Sequence, residues 1–302
     1  MTTSITNEAL TIGDIQEALR GNRHSSNGYL LRDNLPSSLA VKQYYLQLKS
    51  HTSRLDFDEV GLSVFSQNNE DGILMYILSR IGMKTKRCIE IGCDLSGSSI
   101  GIPEGNSINL IVNFGFDGLI VDIDPAKTGA IRHFFSQALS TKHFHSPERD
   151  GLPAGYFSPK IATHEVTIDN INDVYADEGF SGEIDFMSID VDGPDITMWK
   201  AVTVVDPRLV MIEVNNRLPF DTPVFGAATT SDAAPQTLEF QTSYGSSLAA
   251  ACEVASAKGY TFVGMDMTLI NAFFVRNDLA GGFEARRPAD YMGHRFNPVR
   301  AR

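Results

Sequence analysis

The stretch Arg87-Cys-Ile-Glu90-Ile-Gly92-Cys-Asp94, followed later by Gly118-Leu-Ile-Val-Asp122-Ile-Asp124-Pro125, decides the fold. Each part is a short apolar run that ends in carboxylates, and residues rich in glycine and serine lie between the two. Two strands that end in acids, joined by a crossover, are typical of a parallel α/β sheet that holds a nucleoside at its carboxyl edge. We therefore interpret this stretch as the cofactor-binding half of an enzyme.

Composition narrows the class of partner. The 302 residues carry a formal net charge of -12, which disfavours phosphate backbones and anionic lipid surfaces. A small-molecule substrate is expected, nucleic acid and membrane are not, and a homo-oligomer stays open. The cysteines Cys88, Cys93 and Cys252 form no paired framework, and the sequence shows neither an export signal nor a membrane span, so we predict the cytoplasm.

The chain divides into two predicted parts, an N-terminal helical extension over 1–60 and a cofactor-binding domain over 61–302. The extension carries helical patterns near Asn7 to Arg20 and near Pro36 to His51. It is interpreted either as a surface flap or dimer contact, or as a cover over the substrate. In the second pattern, Leu39, Tyr44, Leu46 and Leu48 are expected to form the apolar side.

A polar turn at Ser66 to Gly72 precedes an amphipathic pattern that ends at Gly82. Asn68 is a candidate helix cap, with Asp71 three residues later. The turn is either an ordinary helix start or a turn that contacts a cofactor. Under the second reading, Gln67 and Asp71 are cofactor-binding candidates.

The loop after the first strand indicates the chemical class of the cofactor. It lacks the G-x-G-x-x-G spacing of dinucleotide sites, and it is acidic, which suits a cationic ligand better than a phosphate. S-adenosylmethionine, which carries hydroxyls, an amine and a sulfonium, is such a ligand. Asp122 ends the second strand and is expected to bind both ribose hydroxyls. The remaining cofactor-binding candidates are Glu90, Gly92, Asp94, Asn106 and Ser107.

Two later strands concentrate carboxylates at the same edge of the sheet. Asp190 and Asp192 follow one apolar strand, and Glu213 and Asn215 end the next. Because side chains alternate along a strand, each pair shares a face and both pairs should reach one crevice. The repulsion needs a divalent cation, a cationic ligand, a raised pKa, or a basic partner such as Arg208 or Arg217. Asp192, Glu213 and Asn215 are the candidate ligands for Mg²⁺ or another divalent cation, and an ordinary strand-end helix cap is the alternative.

Several motifs together resemble the FkbM-type family of S-adenosylmethionine-dependent methyltransferases. The resemblance covers roughly Phe65 to Leu279, and it implies a class I methyltransferase sheet of seven strands with the last one antiparallel. It also implies methyl transfer, usually to a hydroxyl oxygen, with Asp190 and Asp192 facing methionine or substrate. One departure is that Asp94 and Ser96 stand where standard methyltransferase loops have glycines. The motifs are Ser66-Gln67-Asn68-Asn69-Glu70-Asp71-Gly72-Ile73-Leu74, Glu90-Ile-Gly92, Ser188-Ile-Asp190-Val-Asp192-Gly193-Pro194-Asp195 with Trp199, Glu213-Val-Asn215 and Asn271-Ala-Phe-Phe-Val-Arg276.

The predicted function is O-methylation of a small molecule such as a sugar or secondary metabolite. Asp190 or Asp192 is the candidate proton acceptor, and His294 in the basic C-terminal tail is a second choice. Histidines 133, 143 and 145 lack the spacing of a metal site. A nicotinamide-dependent oxidoreductase and a non-catalytic interaction module are the alternatives from other classes.

Overall fold

A computed structural model of the protein describes residues 34–95, 102–137, 158–226 and 245–292. The helices are α1 (Asn34–Ser50), α2 (Phe57–Val60), α3 (Glu70–Ile81), α4 (Ile108–Phe114), α5 (Pro125–Gln137), α6 (Ile171–Asp177), α7 (Asp195–Ala201) and α8 (Leu248–Lys258). The strands are β1 (Arg87–Ile91), β2 (Asp94–Leu95), β3 (Pro103–Glu104), β4 (Asp117–Asp122), β5 (Lys160–Thr163), β6 (Gly182–Ile189), β7 (Val205–Glu213), β8 (Tyr260–Met265) and β9 (Asn271–Arg276). Short 3-10 segments follow at Ala280–Gly282 and Pro288–Tyr291.

The main sheet has seven strands in the order β5-β4-β1-β6-β7-β9-β8. The strands from β5 to β7 pair in parallel, and β9 is antiparallel to both of its neighbours. This arrangement confirms the predicted class I methyltransferase sheet, including the antiparallel last strand. Strands β2 and β3 form a separate two-stranded sheet beside the loop that follows β1.

Helices cover both faces of the main sheet because its strands alternate two apolar sets of side chains. On one face, Met211 and Phe273 pack in a cluster with Ile77 of α3. On the other face, Ile212 and Phe274 pack in a cluster with α7 and α8. The strands are buried on both sides, which explains their nearly continuous apolar sequence.

The strand register places the polar strand ends on the face covered by α3. Glu90 pairs with Ile120 of β4 and with Ser188 of β6, and Glu213 pairs with Asn271 of β9. Because alternate residues share a face, Asp122 lies on the same face as Ile120. The carboxyl ends of β4, β1, β6 and β7 therefore present one row of polar side chains.

The described part of the N-terminal extension packs directly on the sheet domain. In α1, the hydroxyl of Ser38 donates to the side-chain oxygen of Asn113 in α4 (2.6 Å). Tyr44 is buried, and its hydroxyl donates to the carbonyl of Val60 within the same extension (2.7 Å). The expected apolar side is corrected at two positions, since Leu39 and Leu46 are 53% and 60% exposed. The buried face instead runs through Val41, Tyr44 and Leu48, because these positions face α3 and α4. The earlier helical pattern, near Asn7 to Arg20, lies outside the described residues.

Local differences from the sequence predictions are small. Helix α3 begins one residue later than expected, with Asn69 rather than Asn68 at the N-cap, and ends at Gly82 as predicted. All three cysteines are free thiols. Each helix in the described ranges is too short or too polar to cross a lipid bilayer. The cellular compartment stays a prediction.

Candidate active site

Asp190 and Glu213 form a carboxyl pair at the ends of β6 and β7. Their side chains share a hydrogen bond, and no lysine or arginine of the described ranges forms an ion pair with either. Burial, followed by the negative charges of Asp195 and Asp192, raises the pKa of Asp190 to about 8. Burial and Asp190 raise the pKa of Glu213 well above its usual range. Both residues are partly exposed, and the pair holds a proton near neutral pH because two adjacent carboxylates in a partly desolvated site cannot readily both ionise.

The turn after β6 is closed by Asp195, the first residue of α7. Its carboxylate accepts hydrogen bonds from the backbone N–H groups of Val191 (2.7 Å) and Gly193 (2.9 Å). Asp192, between them, is exposed and has a left-handed backbone with φ of +55°. This conformation is uncommon for residues other than glycine. Asp195 thus holds the turn between β6 and α7 together, whereas the N-cap of α7 is Pro194 and makes no side-chain cap hydrogen bond. The contacts therefore do not support the helix-cap explanation of these acids, and Asp192 remains open to solvent.

Glu90 is fully buried and organises the loop that precedes α4. One carboxylate oxygen accepts the backbone N–H of Asn106 (2.5 Å), and the other accepts the backbone N–H of Ser107 (3.1 Å) and its hydroxyl. Burial raises the pKa of Glu90 to about 7. Glu90, Asn106 and Ser107, which the sequence predicted to bind the cofactor, therefore form one hydrogen-bonded unit. In it, Glu90 positions the loop before α4.

Gly92 allows β1 and β6 to approach closely at the site. Its φ is +78°, and a Cβ atom there would lie 1.7 Å from the carbonyl oxygen of Asp190. The same backbone segments are joined by a hydrogen bond from the N–H of Asp190 to the carbonyl of Ile91 (3.0 Å). Glycine is required because any side chain would push the two strand ends apart.

Asp122 ends β4 next to this crossing. Its two carboxylate oxygens accept the backbone N–H groups of Asp124 (2.7 Å) and Cys93 (3.4 Å). Each oxygen keeps one lone-pair direction for a further donor. The next residue, Ile123, is 61% exposed and places an apolar side chain at the edge of the site.

Asp94 lies apart from the buried carboxylates. It is exposed, and its carboxylate forms an ion pair with Nζ of Lys127 in α5 (3.2 Å). Its backbone pairs with Glu104 in the small sheet. Ser96, the other departure from a standard methyltransferase loop, lies outside the described residues.

The turn before α3 has a structural explanation at Asp71. One carboxylate oxygen accepts the backbone N–H groups of Val64 (2.8 Å), Phe65 (2.7 Å) and Ser66 (2.8 Å). The other oxygen is buried, and no described residue forms a hydrogen bond with it. Asp71 therefore holds the turn together and has one oxygen left for a donor, whereas Gln67 is exposed.

Sequence reasoning missed a buried contact between Glu70 and Asn271. Oε1 of Glu70 accepts a hydrogen bond from the Asn271 amide nitrogen (3.0 Å), and both residues are buried. Asn271 lies directly opposite Glu213 in the β7–β9 pair. No local pattern could reveal this contact, because the two residues are 201 positions apart. The only sequence signal is that each lies inside a motif of the family resemblance.

The predicted metal ligands do not form a coordination group. The side-chain oxygen of Asn215 accepts the backbone N–H of Arg217 (2.9 Å), Glu213 contacts Asp190, and Asp192 is exposed. Within the four described ranges, no three or more His, Cys, Asp or Glu side chains are arranged to hold a metal ion. The metal assignment stays a prediction without support from these contacts.

The remaining candidates are a basic partner and the histidines. Arg208 is ruled out as a partner of Asp190, because it binds Asp185 (2.6 Å) near the other end of β6. His133 is exposed on α5. The positions of His294, of histidines 143 and 145, and of most of the loop over 218–246 lie outside the described residues.

No family model matches the chain, and no curated protein matches it. Two solved structures are similar in architecture. An O-methyltransferase from Bacillus cereus in complex with SAH has 10% identity and a TM-score of 0.39, covering 88% of this chain and 100% of that chain. An S-adenosylmethionine-dependent methyltransferase from Clostridium acetobutylicum has 9% identity and a TM-score of 0.37, covering 77% and 96%. The fold assignment therefore rests on the strand order itself, and the FkbM-type resemblance stays a prediction.

Proposed function

We propose that the protein is an S-adenosylmethionine-dependent methyltransferase that methylates a hydroxyl oxygen of a small molecule, such as a sugar or secondary metabolite. The observation that carries the proposal is the row of Glu90, Asp190 and Glu213 on one face of adjacent strand ends. In the described ranges these acids form no ion pair with lysine or arginine. A sulfonium cation would supply the compensating charge.

The residues present fit this cofactor. Asp122 has acceptor capacity for two ribose hydroxyls, and the exposed side chain of Ile123 offers an apolar surface for a base. Within the described ranges the buried side-chain oxygen of Asn106 has no partner, so it can accept a hydrogen bond from the ligand. Gly92 removes the side chain that would otherwise fill the approach to the strand ends.

The chemistry assigned to the chain is positioning and proton acceptance. When bound, the cofactor supplies an electrophilic methyl group. Asp190, with a pKa of about 8, is mostly protonated at neutral pH, so it would accept a hydroxyl proton only in its ionised form, whose share grows as pH rises towards 8. Glu213 orients the Asp190 carboxyl group through their shared hydrogen bond. Most of the rate enhancement would come from holding the acceptor oxygen in line with the methyl group.

Asp122 would also suit the ribose of a nicotinamide cofactor, so the strand order, rather than this residue, disfavours that alternative. Dinucleotide-binding sheets follow the order 3-2-1-4-5-6, whereas here the antiparallel strand β9 is inserted between β7 and β8. Both the strand order and the acidic loop therefore disfavour a pyrophosphate-binding site.

The test is calorimetric titration of the folded protein with S-adenosylhomocysteine, with NAD as the competing ligand. We expect binding of S-adenosylhomocysteine alone. Asp122→Asn should weaken that binding by about tenfold or more, since hydrogen bonds to a charged group contribute about 1.5–3 kcal/mol. Asp117→Asn is the matched control, because Asp117 lies at the opposite end of β4 and pairs with Arg87 (3.4 Å).

Folded wild-type protein that gives no heat with S-adenosylhomocysteine would contradict the proposal and favour the interaction module. Heat with NAD instead would favour the oxidoreductase. An equal loss of S-adenosylhomocysteine affinity in both variants would show that Asp122 does not bind the cofactor directly.

A further inference from the structure

Contacts on several sides hold Asn271, the first residue of β9, in one orientation. Its amide nitrogen donates to Glu70 (3.0 Å), its backbone N–H donates to Asp266 (2.8 Å), and its carbonyl accepts the N–H of Asp266 (3.0 Å). Glu70 is itself held by the backbone N–H (2.9 Å) and side-chain nitrogen (3.1 Å) of Asn68. The nitrogen and oxygen of the Asn271 side-chain amide cannot exchange places, because two acceptors, the amide oxygen and the carboxylate of Glu70, would then face each other.

The side-chain oxygen of Asn271 has no hydrogen-bond partner among the residues that the structure describes, although the residue is only 5% exposed. A buried acceptor left without a donor is unfavourable, because it has lost its hydrogen bonds to water. Glu213 is its direct cross-strand neighbour on the same face. The unpartnered oxygen therefore belongs to the edge of the candidate active site, on the side of β7 rather than β1.

The acidic side chains around Asn271 favour a hydrogen-bond donor that carries a positive charge. Glu70, Asp266 and Glu213 contact or neighbour it, and Asp190 contacts Glu213. In the described part of the chain, none of these acids forms an ion pair with a lysine or arginine. The formal net charge of -12 also favours the approach of cations.

We propose that Asn271 and Glu213 recognise a protonated primary amine on the methyl acceptor, so that the substrate class is an amino alcohol or amino sugar. The ammonium group donates a hydrogen bond to the side-chain oxygen of Asn271. Its charge faces the Asp190–Glu213 pair, which holds one proton and therefore keeps one negative charge. The assignment rests on the proposed methyltransferase function. The same ammonium chemistry occurs in the amino-acid part of the cofactor, and the experiment separates the two sources.

The experiment measures thermal stabilisation of the full chain saturated with S-adenosylhomocysteine, in which a site for the ammonium of the cofactor is already filled. The probes are ethanolammonium chloride and ethylene glycol, at ionic strength matched with sodium chloride. We expect ethanolammonium to raise Tm more than ethylene glycol does. Asn271→Leu and Glu213→Gln should each weaken that effect by about tenfold. In Asn271→Leu, S-adenosylhomocysteine affinity should stay within about twofold, because Asn271 is not one of the acids assigned to the cofactor.

Glu253→Gln is the matched charge control, since Glu253 is exposed on α8. This variant should retain the full ethanolammonium effect. If Asn271→Leu does not fold, Glu213→Gln still tests the proposed ammonium site, because that change is nearly isosteric.

Three results would overturn the assignment. One is a wild-type protein that binds S-adenosylhomocysteine but responds equally to ethanolammonium and ethylene glycol. Another is an ethanolammonium effect that survives in both variants. The third is a tenfold loss of S-adenosylhomocysteine affinity in folded Asn271→Leu, which would assign the oxygen to the cofactor. The first two leave the proposed function standing.

Discussion

Single backbone positions determine how closely the strands meet at the site. Gly92 has a left-handed φ of +78°, and its missing Cβ leaves room for the carbonyl of Asp190. Gly129, in α5, has no atom within 4 Å of the position that a Cβ would occupy. The two glycines therefore respond to the same substitution in opposite directions.

Gly92→Ala should destabilise the protein by roughly 2 kcal/mol or more, because the new methyl group meets backbone atoms and the φ angle is unfavourable for alanine. Gly129→Ala should stabilise it by about 0.5–1 kcal/mol, since alanine loses less conformational freedom in a helix. Urea unfolding of both variants measures the difference. Similar values for the two would show that β1 and β6 do not need this close approach.

At the scale of elements, strand β6 carries acids with opposite roles at its two ends. Near its start, Asp185 accepts the backbone N–H groups of Lys84 (3.0 Å), Thr85 (2.9 Å) and Lys86 (2.7 Å), and it pairs with Arg208. Arg208 also donates to the carbonyls of Ile81 (2.6 Å) and Gly82 (2.9 Å) at the end of α3. This end joins α3, β6 and β7, whereas Asp190 at the other end has no cationic partner in the described ranges.

Asp185→Asn should cost about 3–5 kcal/mol of folding free energy, because it leaves Arg208 as a buried charge without its partner. Asp278→Asn is the control, since Asp278 pairs with Arg276 (2.8 Å) but its side chain is 58% exposed. Exposed ion pairs contribute less than about 1 kcal/mol. Chemical denaturation of both variants tests the contrast, and equal losses would contradict the structural role given to Asp185.

Across the whole molecule, buried carboxyl groups make stability depend on pH. Burial is the largest cause in each case, raising the pKa of Glu90 to about 7 and the pKa values of Asp71, Asp195 and Asp266 to about 6. Between the unfolded and folded pKa values, the folded protein binds more protons than the unfolded chain. The stabilising contribution of these four carboxyl groups is therefore complete below their pKa values in the unfolded chain. It is lost as pH rises through their pKa values in the folded protein.

The free energy of unfolding should fall as pH rises from about 5 to about 8. For Glu90, the difference between 4.5 and about 7 corresponds to about 3 kcal/mol. Glu90→Gln should flatten the dependence, because the amide does not ionise. The pKa values of Glu183 and Asp278 are lowered by Lys84 and Arg276, so these groups stay ionised over this range and do not contribute. Denaturation curves at several pH values check the slope, and identical slopes for wild type and variant would contradict the role of Glu90.

The sequence by itself determined the elements and the sheet. Apolar runs ending in acids predicted β1, β4, β6 and β7, and the resemblance implied the antiparallel last strand, because strand ends and helix breaks are local properties. Its short-range patterns also located Glu90, Asp122, Asp190 and Glu213, all of which stand at or beside strand ends.

Only the tertiary structure decided what each acid contacts. It assigned Arg208 to Asp185 rather than to Asp190, gave Glu90 a role in the loop before α4, and brought Glu70 to Asn271 across the fold. The sequence prediction also placed Leu39 and Leu46 on the buried side of α1, whereas both are exposed. Burial depends on what packs against a helix. The physical reason is the same throughout: periodicity along a chain fixes local conformation, while hydrogen bonding and burial depend on neighbours that are distant in sequence.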